Sequence, residues 1–198
     1  MSSTKYPEHV RRLRLAARPR ILEVLRDEGP NLLDRFYVLA QDEHPESCDD
    51  GVPCTCGSNL EPEWRHAVRW ALEDLRNDGW AFNSAKSRPW TYIAPDVLMM
   101  DDVRIDVREG LRFRVRMSGR PRKIGLRALG QSRVNWLNAG DSIELGNAPP
   151  RLTQRESTPE VSYLARITSR GFSREEGWIP KRELIAPVVE WMDPRVPR

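Results

Sequence analysis

The feature of the sequence that most constrains the fold is a helix-patterned segment between residues 62 and 78. Apolar side chains recur there at the i, i+3, i+4 and i+7 positions, which fall on one face of an α-helix. Charged residues fill much of the remainder, and Gly79 stands where such a helix would end. The pattern predicts a long amphipathic helix that packs by one face against a core. The apolar set is Trp64, Ala67, Val68, Ala71, Leu72 and Leu75.

Shorter elements are predicted on both sides of this helix. Upstream, Pro19 is placed to open a first helix that ends at Gly29-Pro30, and Asn31 is placed to cap a second. Downstream, two aromatic-rich stretches, about 80–83 and 90–93, flank a polar tip and predict a hairpin. Two helices, a long third helix and a hairpin make a winged helix, which we predict for residues 19–95. Residues 1–18 are interpreted as a basic arm or a partly formed helix.

From residue 111 onward the chain is patterned as strands. The stretch LRFRVRM alternates strictly between apolar and arginine side chains, as a strand with one buried face does. KIGLRAL, DSIEL, SYLARI and GWIP are further strand candidates, punctuated by Pro and Gly. They predict a small antiparallel β-barrel over residues 111–190, with residues 96–110 as a connector and 191–198 as a tail. The predicted fold class is therefore α+β, a winged helix followed by a small antiparallel β-barrel.

Composition and charge limit the class of protein and of partner. With 39% hydrophobic and 31% charged residues, the chain has the composition of a soluble globular protein. No apolar run approaches the roughly 18 residues of a membrane span, and the basic N-terminus lacks the apolar stretch of a secretory signal. We therefore expect a cytoplasmic protein without membrane contact.

The positive charge is concentrated in the second half of the chain. Residues 1–98 hold 13 Lys/Arg and 16 Asp/Glu, whereas residues 99–198 hold 19 Lys/Arg and 13 Asp/Glu. Residues 104–133 alone hold ten Lys/Arg against two carboxylates. Such a density favours a nearby phosphate backbone through counterion release, although it is also compatible with a solvated surface.

One pattern in the first half is specific enough to compare with a protein family. It consists of Trp64-Arg65, Val68-Arg69-Trp70-Ala71, Leu72, Leu75 and Gly79, followed by Trp90-Thr91-Tyr92-Ile93. Over about residues 19–95 this pattern resembles the N-terminal domain of the Mrr family of restriction proteins. In that family the domain precedes a nuclease domain. The second half of this chain lacks an Asp that is followed by a convincing Glu-x-Lys or Gln-x-Lys strand, the arrangement that metal-dependent cleavage needs. The resemblance therefore implies DNA targeting without cutting.

A second pattern lies in the strand-rich half. Ala139-Gly140-Asp141-Ser142-Ile143-Glu144-Leu145, Tyr163–Arg166 and the turn Gly177-Trp178-Ile179-Pro180 followed by Leu184-Ile185 resemble a Src-homology-three-type barrel. Leu129 and Leu184 stand where the tyrosines of a proline-rich-peptide groove are expected, so the resemblance does not imply that ligand. Four aromatic residues are candidates for a pocket on the barrel, and for Tyr163 and Trp178 a place in the core is the favoured alternative. These are Trp136, Tyr163, Phe172 and Trp178.

The candidate DNA contacts lie on the long helix and the hairpin. Arg65, His66, Arg69 and Arg76 lie off the apolar stripe, and Arg65 and Arg69 are one turn apart, so both can enter a major groove. At the hairpin tip, Lys86 and Arg88 are placed to hold phosphates. The alternatives are a helix surface neutralised by nearby carboxylates and a solvated turn.

The arginine strand offers a third set of contacts. Arg112, Arg114 and Arg116 share one face of the LRFRVRM strand and form either a phosphate-tracking stripe or a solvent face.

A polar loop at residues 41–59 contains all three cysteines of the chain. His44, Cys48, Cys54 and Cys56 supply the ligand types of a tetrahedral zinc site, and the loop has few apolar residues with which to fold otherwise. The spacing also allows a flexible loop with free thiols or a redox-labile Cys48–Cys54 pair.

The sequence predicts a binding protein rather than an enzyme. None of the three histidines has a Ser or Cys partner in a catalytic motif, and no phosphate loop or dinucleotide fingerprint occurs. We therefore expect a protein that binds double-stranded DNA, with a role in restriction or defence, or in transcriptional regulation. The alternatives are a protein-interaction adaptor that uses the barrel and a non-catalytic subunit of a DNA-processing complex.

Overall fold

The computed structural model describes residues 7–54, 61–85, 87–100, 102–116, 124–128, 134–169, 176–186 and 189–192. These residues combine helices with antiparallel sheets, which confirms the α+β class. The chain divides into two compact units. The first contains the residues up to Ile93 together with Arg155–Thr158, and the second contains Ala94–Gln154 and the residues from Pro159 onward.

The first unit is built from three helices and a short hairpin. The helices are α1 (Glu8–Asp27), α2 (Leu33–Glu43) and α3 (Glu63–Asn77), with a 3-10 turn at Pro45–Ser47 after α2. The hairpin pairs β1 (Ala81–Phe82) with β2 (Thr91–Tyr92) in antiparallel register. Helix α1 packs mainly on α3, which buries the predicted apolar stripe of α3 completely or nearly so.

The first helix is longer than the sequence predicted. Residues 1–18 are predicted as a basic arm or a partly formed helix, whereas Pro19 is predicted to open the first helix; in the structure α1 begins at Glu8 and continues through Pro19. Its buried residues recur at helical spacing on both sides of the proline. The free energy gained by burying them therefore outweighs the loss of the backbone hydrogen bond that proline cannot donate. These residues are Val10, Leu13, Ala17, Ile21, Val24 and Leu25.

The second unit contains ten strands among the described residues. A hairpin of β3 (Val97–Met100) and β4 (Val103–Asp106) occupies much of the segment predicted as a connector. The larger sheet has the order β12-β5-β8-β10-β11-β6-β7, with β9 paired to β10. Its strands are β5 (Arg112–Val115), β6 (Ile124–Ala128), β7 (Val134–Leu137), β8 (Ser142–Leu145), β9 (Arg151–Arg155), β10 (Thr158–Ile167), β11 (Glu176–Pro180) and β12 (Val189–Trp191), and α4 (Lys181–Leu184) follows β11.

The strand path does not close on itself within the described part of the chain, because β12 and β7 form its two ends. The predicted tail also begins one residue too early, since Trp191 belongs to β12 and pairs with Phe113. The five strand candidates coincide with β5, β6, β8, β10 and β11.

The alternating pattern of the arginine strand is confirmed. Leu111, Phe113 and Val115 are buried, whereas Arg112 is exposed and Arg114 is half-buried. Leucine, isoleucine, alanine and aromatic side chains from β8, β10 and β11 complete the same core. No helix in the described ranges is long and apolar enough to cross a membrane.

Candidate nucleic-acid interface

Helix α3 separates its charged residues from its buried ones. The predicted contacts Arg65, Arg69 and Arg76 follow one another at i, i+4 and i+11, which places them on one flank of the helix beside the buried stripe. The structure shows that these three arginines have different surroundings.

Arg65 is held against aromatic rings. Its guanidinium carbon lies 5.2 Å from the centre of the Tyr37 ring and 5.3 Å from that of Trp64, and the two rings meet edge-on at 5.6 Å. The Nε of Arg65 is buried and has no hydrogen-bond partner among the described residues. Burial raises the pKa of Tyr37 to about 12, so the ring system is neutral at physiological pH. Arg65 therefore packs within the domain, and the sequence alone did not indicate this role.

Arg69 and Arg76 lie nearer the solvent. Arg69 forms an ion pair with Glu61, and Arg76 lies 3.9 Å from a carboxylate oxygen of Glu73. Both arginine side chains are more than one-third exposed to solvent. Exposed pairs such as Arg76–Glu73 contribute roughly 0–1 kcal/mol, so a phosphate can replace that carboxylate at little cost, whereas Glu61 is 31% exposed and its pair with Arg69 is the more shielded of the two.

His66 faces the cysteine loop rather than open solvent. Its Nδ1 lies 3.2 Å from the sulfur of the buried Cys54, and its ring meets Trp70 edge-on at 5.4 Å. Burial lowers the pKa of His66, and the nearby guanidinium of Arg69 lowers it further. His66 is therefore neutral at physiological pH and does not add positive charge to the interface.

The hairpin places Arg88 on the surface. Its backbone N–H donates to the carbonyl of Ala85 at 2.9 Å, and the side-chain amide of Asn83 donates to the same carbonyl at 3.0 Å. These bonds fix the turn, while the Arg88 side chain is exposed and has no ionic partner among the described residues. Lys86, the other predicted contact of the tip, lies outside the described residues.

The four predicted zinc ligands are not brought together within the described segments. His44, Cys48 and Cys54 belong to no group of three or more metal-ligating side chains there, and Cys56 lies outside them. Cys54 is disulfide-bonded and Cys48 is a free thiol. Burial raises the pKa of the Cys48 thiol to about 11.

A cleft beside α1, not predicted from the sequence, is lined by four arginines. Its volume is about 310 Å³. Within it, Arg14 donates two hydrogen bonds to Asp74, at 2.5 and 2.7 Å, and its guanidinium lies 5.9 Å from the Trp70 ring centre. Arg18 is buried and donates to Asp78 at 2.6 Å and to Thr158 at 2.7 Å. The i, i+3, i+7 spacing of Arg11, Arg14 and Arg18 was the available signal, since it places all three on one side of a helix.

The arginine strand of the second unit is largely neutralised. Arg112 and Arg166 both donate to Glu144 from opposite sides, and Arg116 donates to Glu190 at 2.8 Å. The hydrogen bond from Arg166, and that from Arg112, lower the pKa of Glu144. Arg114 is half-buried, and its position in the register faces Glu190 and Ser142. Arg112, Arg114 and Arg116 therefore form a carboxylate-interleaved surface instead of a continuous positive stripe.

The three candidate pocket aromatics that the structure describes lie on two different sides of the sheet. Tyr163 is buried, and its hydroxyl donates to the carbonyl of Pro95, so it belongs to the core. Trp178 and Trp136 point away from that core, and Phe172 lies outside the described residues.

Comparison with known proteins assigns no relative to this chain. No protein-family model, curated protein or solved structure matches it.

Proposed function

We propose that the chain is a non-enzymatic protein that binds double-stranded DNA through its first unit, acting as a winged helix. Helix α3 serves as the recognition helix, and the β1–β2 hairpin serves as the wing. The observation that best supports this proposal is the exposed Arg88 at the hairpin tip, together with Arg69 and Arg76 on the solvent flank of α3. Arginines on a helix and a neighbouring hairpin suit a groove and its flanking phosphates.

The surroundings of each arginine assign it a separate role in this proposal. Arg69 and Arg76 exchange their partners Glu61 and Glu73 for DNA, whereas Arg88 contacts a phosphate without first leaving a carboxylate. Arg65 is a positioning residue, because its guanidinium lies over Tyr37 and Trp64 and holds the start of α3 against α2.

The resemblance to the Mrr N-terminal domain supports a role in DNA targeting, within either restriction or transcriptional regulation. The predicted protein-adaptor alternative differs in one measurable property. Phosphate contacts release counterions, so DNA affinity falls steeply as salt rises, whereas an apolar protein contact does not weaken in this way.

The test is fluorescence anisotropy with a labelled duplex at two salt concentrations. We expect the full chain to bind. Each phosphate contact that is removed should make the negative slope of log affinity against log salt shallower by about 0.9. The variant Arg69→Ala/Arg76→Ala/Arg88→Ala should therefore lose both affinity and salt dependence.

The matched control is Arg104→Ala. Arg104 is an exposed arginine on β4 that lies 3.3 Å from Asp106, so its loss removes one charge without touching α3 or the β1–β2 hairpin. Equal duplex affinity of the triple variant and the control would refute the proposal, as would a wild-type affinity that salt does not change.

A further inference from the structure

One face of the sheet in the second unit carries two tryptophans with an arginine between them. In the register of β11 and β6, Trp178 lies directly opposite Arg127. In the register of β6 and β7, Arg127 lies opposite Val134, and Trp136 lies opposite Gly125. Directly opposed residues of an antiparallel pair share a face, and so do residues two apart on one strand. Trp178, Arg127 and Trp136 therefore share one face.

This face is open to solvent. The exposed fraction of Trp136 is 51%, the highest of any described tryptophan, and Arg127 is exposed. Trp178 is half-buried and is covered in part by Arg151, whose guanidinium carbon lies 5.9 Å from the ring centre. The face is distinct from the core face of the same strands, which holds Ile179.

The two arginines are available for an anionic partner. Neither Arg127 nor Arg151 has a carboxylate partner among the described residues, in contrast to Arg112 and Arg166, which share Glu144. Arginine that is left unpaired beside an exposed indole offers a phosphate contact next to a stacking platform.

The spacing of the rings indicates which form of nucleic acid fits. Adjacent strands lie about 4.8 Å apart and residues advance about 3.3 Å along a strand, so the Cβ atoms of Trp136 and Trp178 are about 12 Å apart. Bases in a duplex follow one another at about 3.4 Å and stack on each other, which leaves no base face free for an indole. Two platforms this far apart require bases that are unstacked from one another.

We propose that this face binds single-stranded DNA, with bases stacked on Trp136 and Trp178 and with phosphates held by Arg127 and Arg151. The choice of DNA over RNA rests on the proposed function. The site is otherwise independent of α3 and the β1–β2 hairpin, because all four of its residues belong to the second unit. The chain would then hold a duplex with one unit and a displaced strand with the other.

The experiment measures anisotropy of a fluorescein-labelled twelve-residue oligothymidylate with the full chain at low salt. Alanine replacement of a stacking aromatic weakens single-strand binding by roughly 5- to 150-fold in comparable sites, so we expect a loss of this size for Trp136→Ala. Trp136→Phe keeps a ring and should retain most of the affinity, whereas Trp136→Leu keeps apolar surface but no ring and should lose it. Thermal unfolding of each variant confirms that it is folded.

Two matched controls address surface and charge. Leu152→Ala removes an exposed apolar side chain of β9 and should leave the oligothymidylate affinity unchanged. Arg104→Ala removes an arginine paired with Asp106 and should also have no effect, whereas Arg127→Ala should weaken binding and reduce the salt dependence.

The outcome for this face is separable from that for the first unit. Arg69→Ala/Arg76→Ala/Arg88→Ala should lose duplex binding and keep oligothymidylate binding, and Trp136→Ala should do the reverse. Absence of oligothymidylate binding by the wild-type chain overturns the inference, and so does equal affinity of the Phe and Leu variants at position 136. Tighter binding of oligouridylate than of oligothymidylate overturns the assignment to DNA.

Discussion

The buried Lys181 makes the stability of the second unit depend on pH in a calculable way. Its side chain is 1% exposed at the start of α4, and its ammonium nitrogen donates to the carbonyl of Ala94 at 2.8 Å. Burial lowers the pKa of Lys181 from 10.5 to about 7, although the carboxylate of Asp96 acts in the opposite direction. The folded chain therefore favours the neutral amine, whereas the unfolded chain holds the proton up to a pH near 10.5.

The sign of the effect follows from proton binding. Below about pH 7 both states hold the proton, and the cost of a buried charge is fully present. Between about pH 7 and 10.5 the unfolded state binds more protons, so the free energy of unfolding rises with pH by up to about 1.4 kcal/mol per pH unit. The whole effect is about 5 kcal/mol, of which about 3 kcal/mol falls between pH 7 and 9.5.

The measurement is urea denaturation of the wild-type chain and of Lys181→Met between pH 6.5 and 9.5. Methionine keeps the length and apolar stem of lysine but cannot titrate, so titrations elsewhere cancel in the difference between the two stabilities. Near pH 7 we expect the methionine variant to be the more stable, because removing the cost of burying a charge outweighs the loss of the hydrogen bond to Ala94, worth about 1 kcal/mol. As the pH rises to 9.5, the free energy of unfolding of the wild-type chain should increase by about 3 kcal/mol relative to that of the variant. Parallel stability curves for the two proteins would refute this reasoning.

Two further predictions concern the sheet core and the cysteine loop. Phe113→Ala should lower the free energy of unfolding by about 3–5 kcal/mol, because Phe113 is fully buried between β8 and β12, and a loss below about 1 kcal/mol in urea denaturation would contradict that packing. The zinc prediction for the loop with Cys48 is tested by metal analysis of protein purified under reducing conditions. A site of three cysteines and one histidine, which requires Cys54 to be reduced, would give one zinc per chain that Cys48→Ser removes, and metal-free wild-type protein would reject the site.

Local periodicity in the sequence determined the elements whose residues contact a single core. The helical spacing of Trp64 to Leu75 gives the buried face of α3, and the alternation of Leu111, Phe113 and Val115 gives the buried face of β5. Each pattern depends on residues within a few positions of one another, so it can be seen without knowing what the element packs against. The same local reading failed at Pro19, because only the packing of α1 on α3 decides that the helix continues through a proline.

The surroundings of the charged and aromatic side chains were decided by tertiary structure. Nothing near Arg65 in the sequence indicates that Tyr37 of another helix lies beneath its guanidinium. The neutralisation of Arg112 depends on the register between β5 and β8, which brings Glu144 opposite it across 32 residues of chain. Strand register depends on which segments pair, and distant segments pair only when the whole core forms. The sequence therefore determined the buried apolar faces of α3 and β5 and where the arginines lie along the chain, whereas the fold decided which arginines have a carboxylate partner and which charged side chains, such as Arg18 and Lys181, are buried.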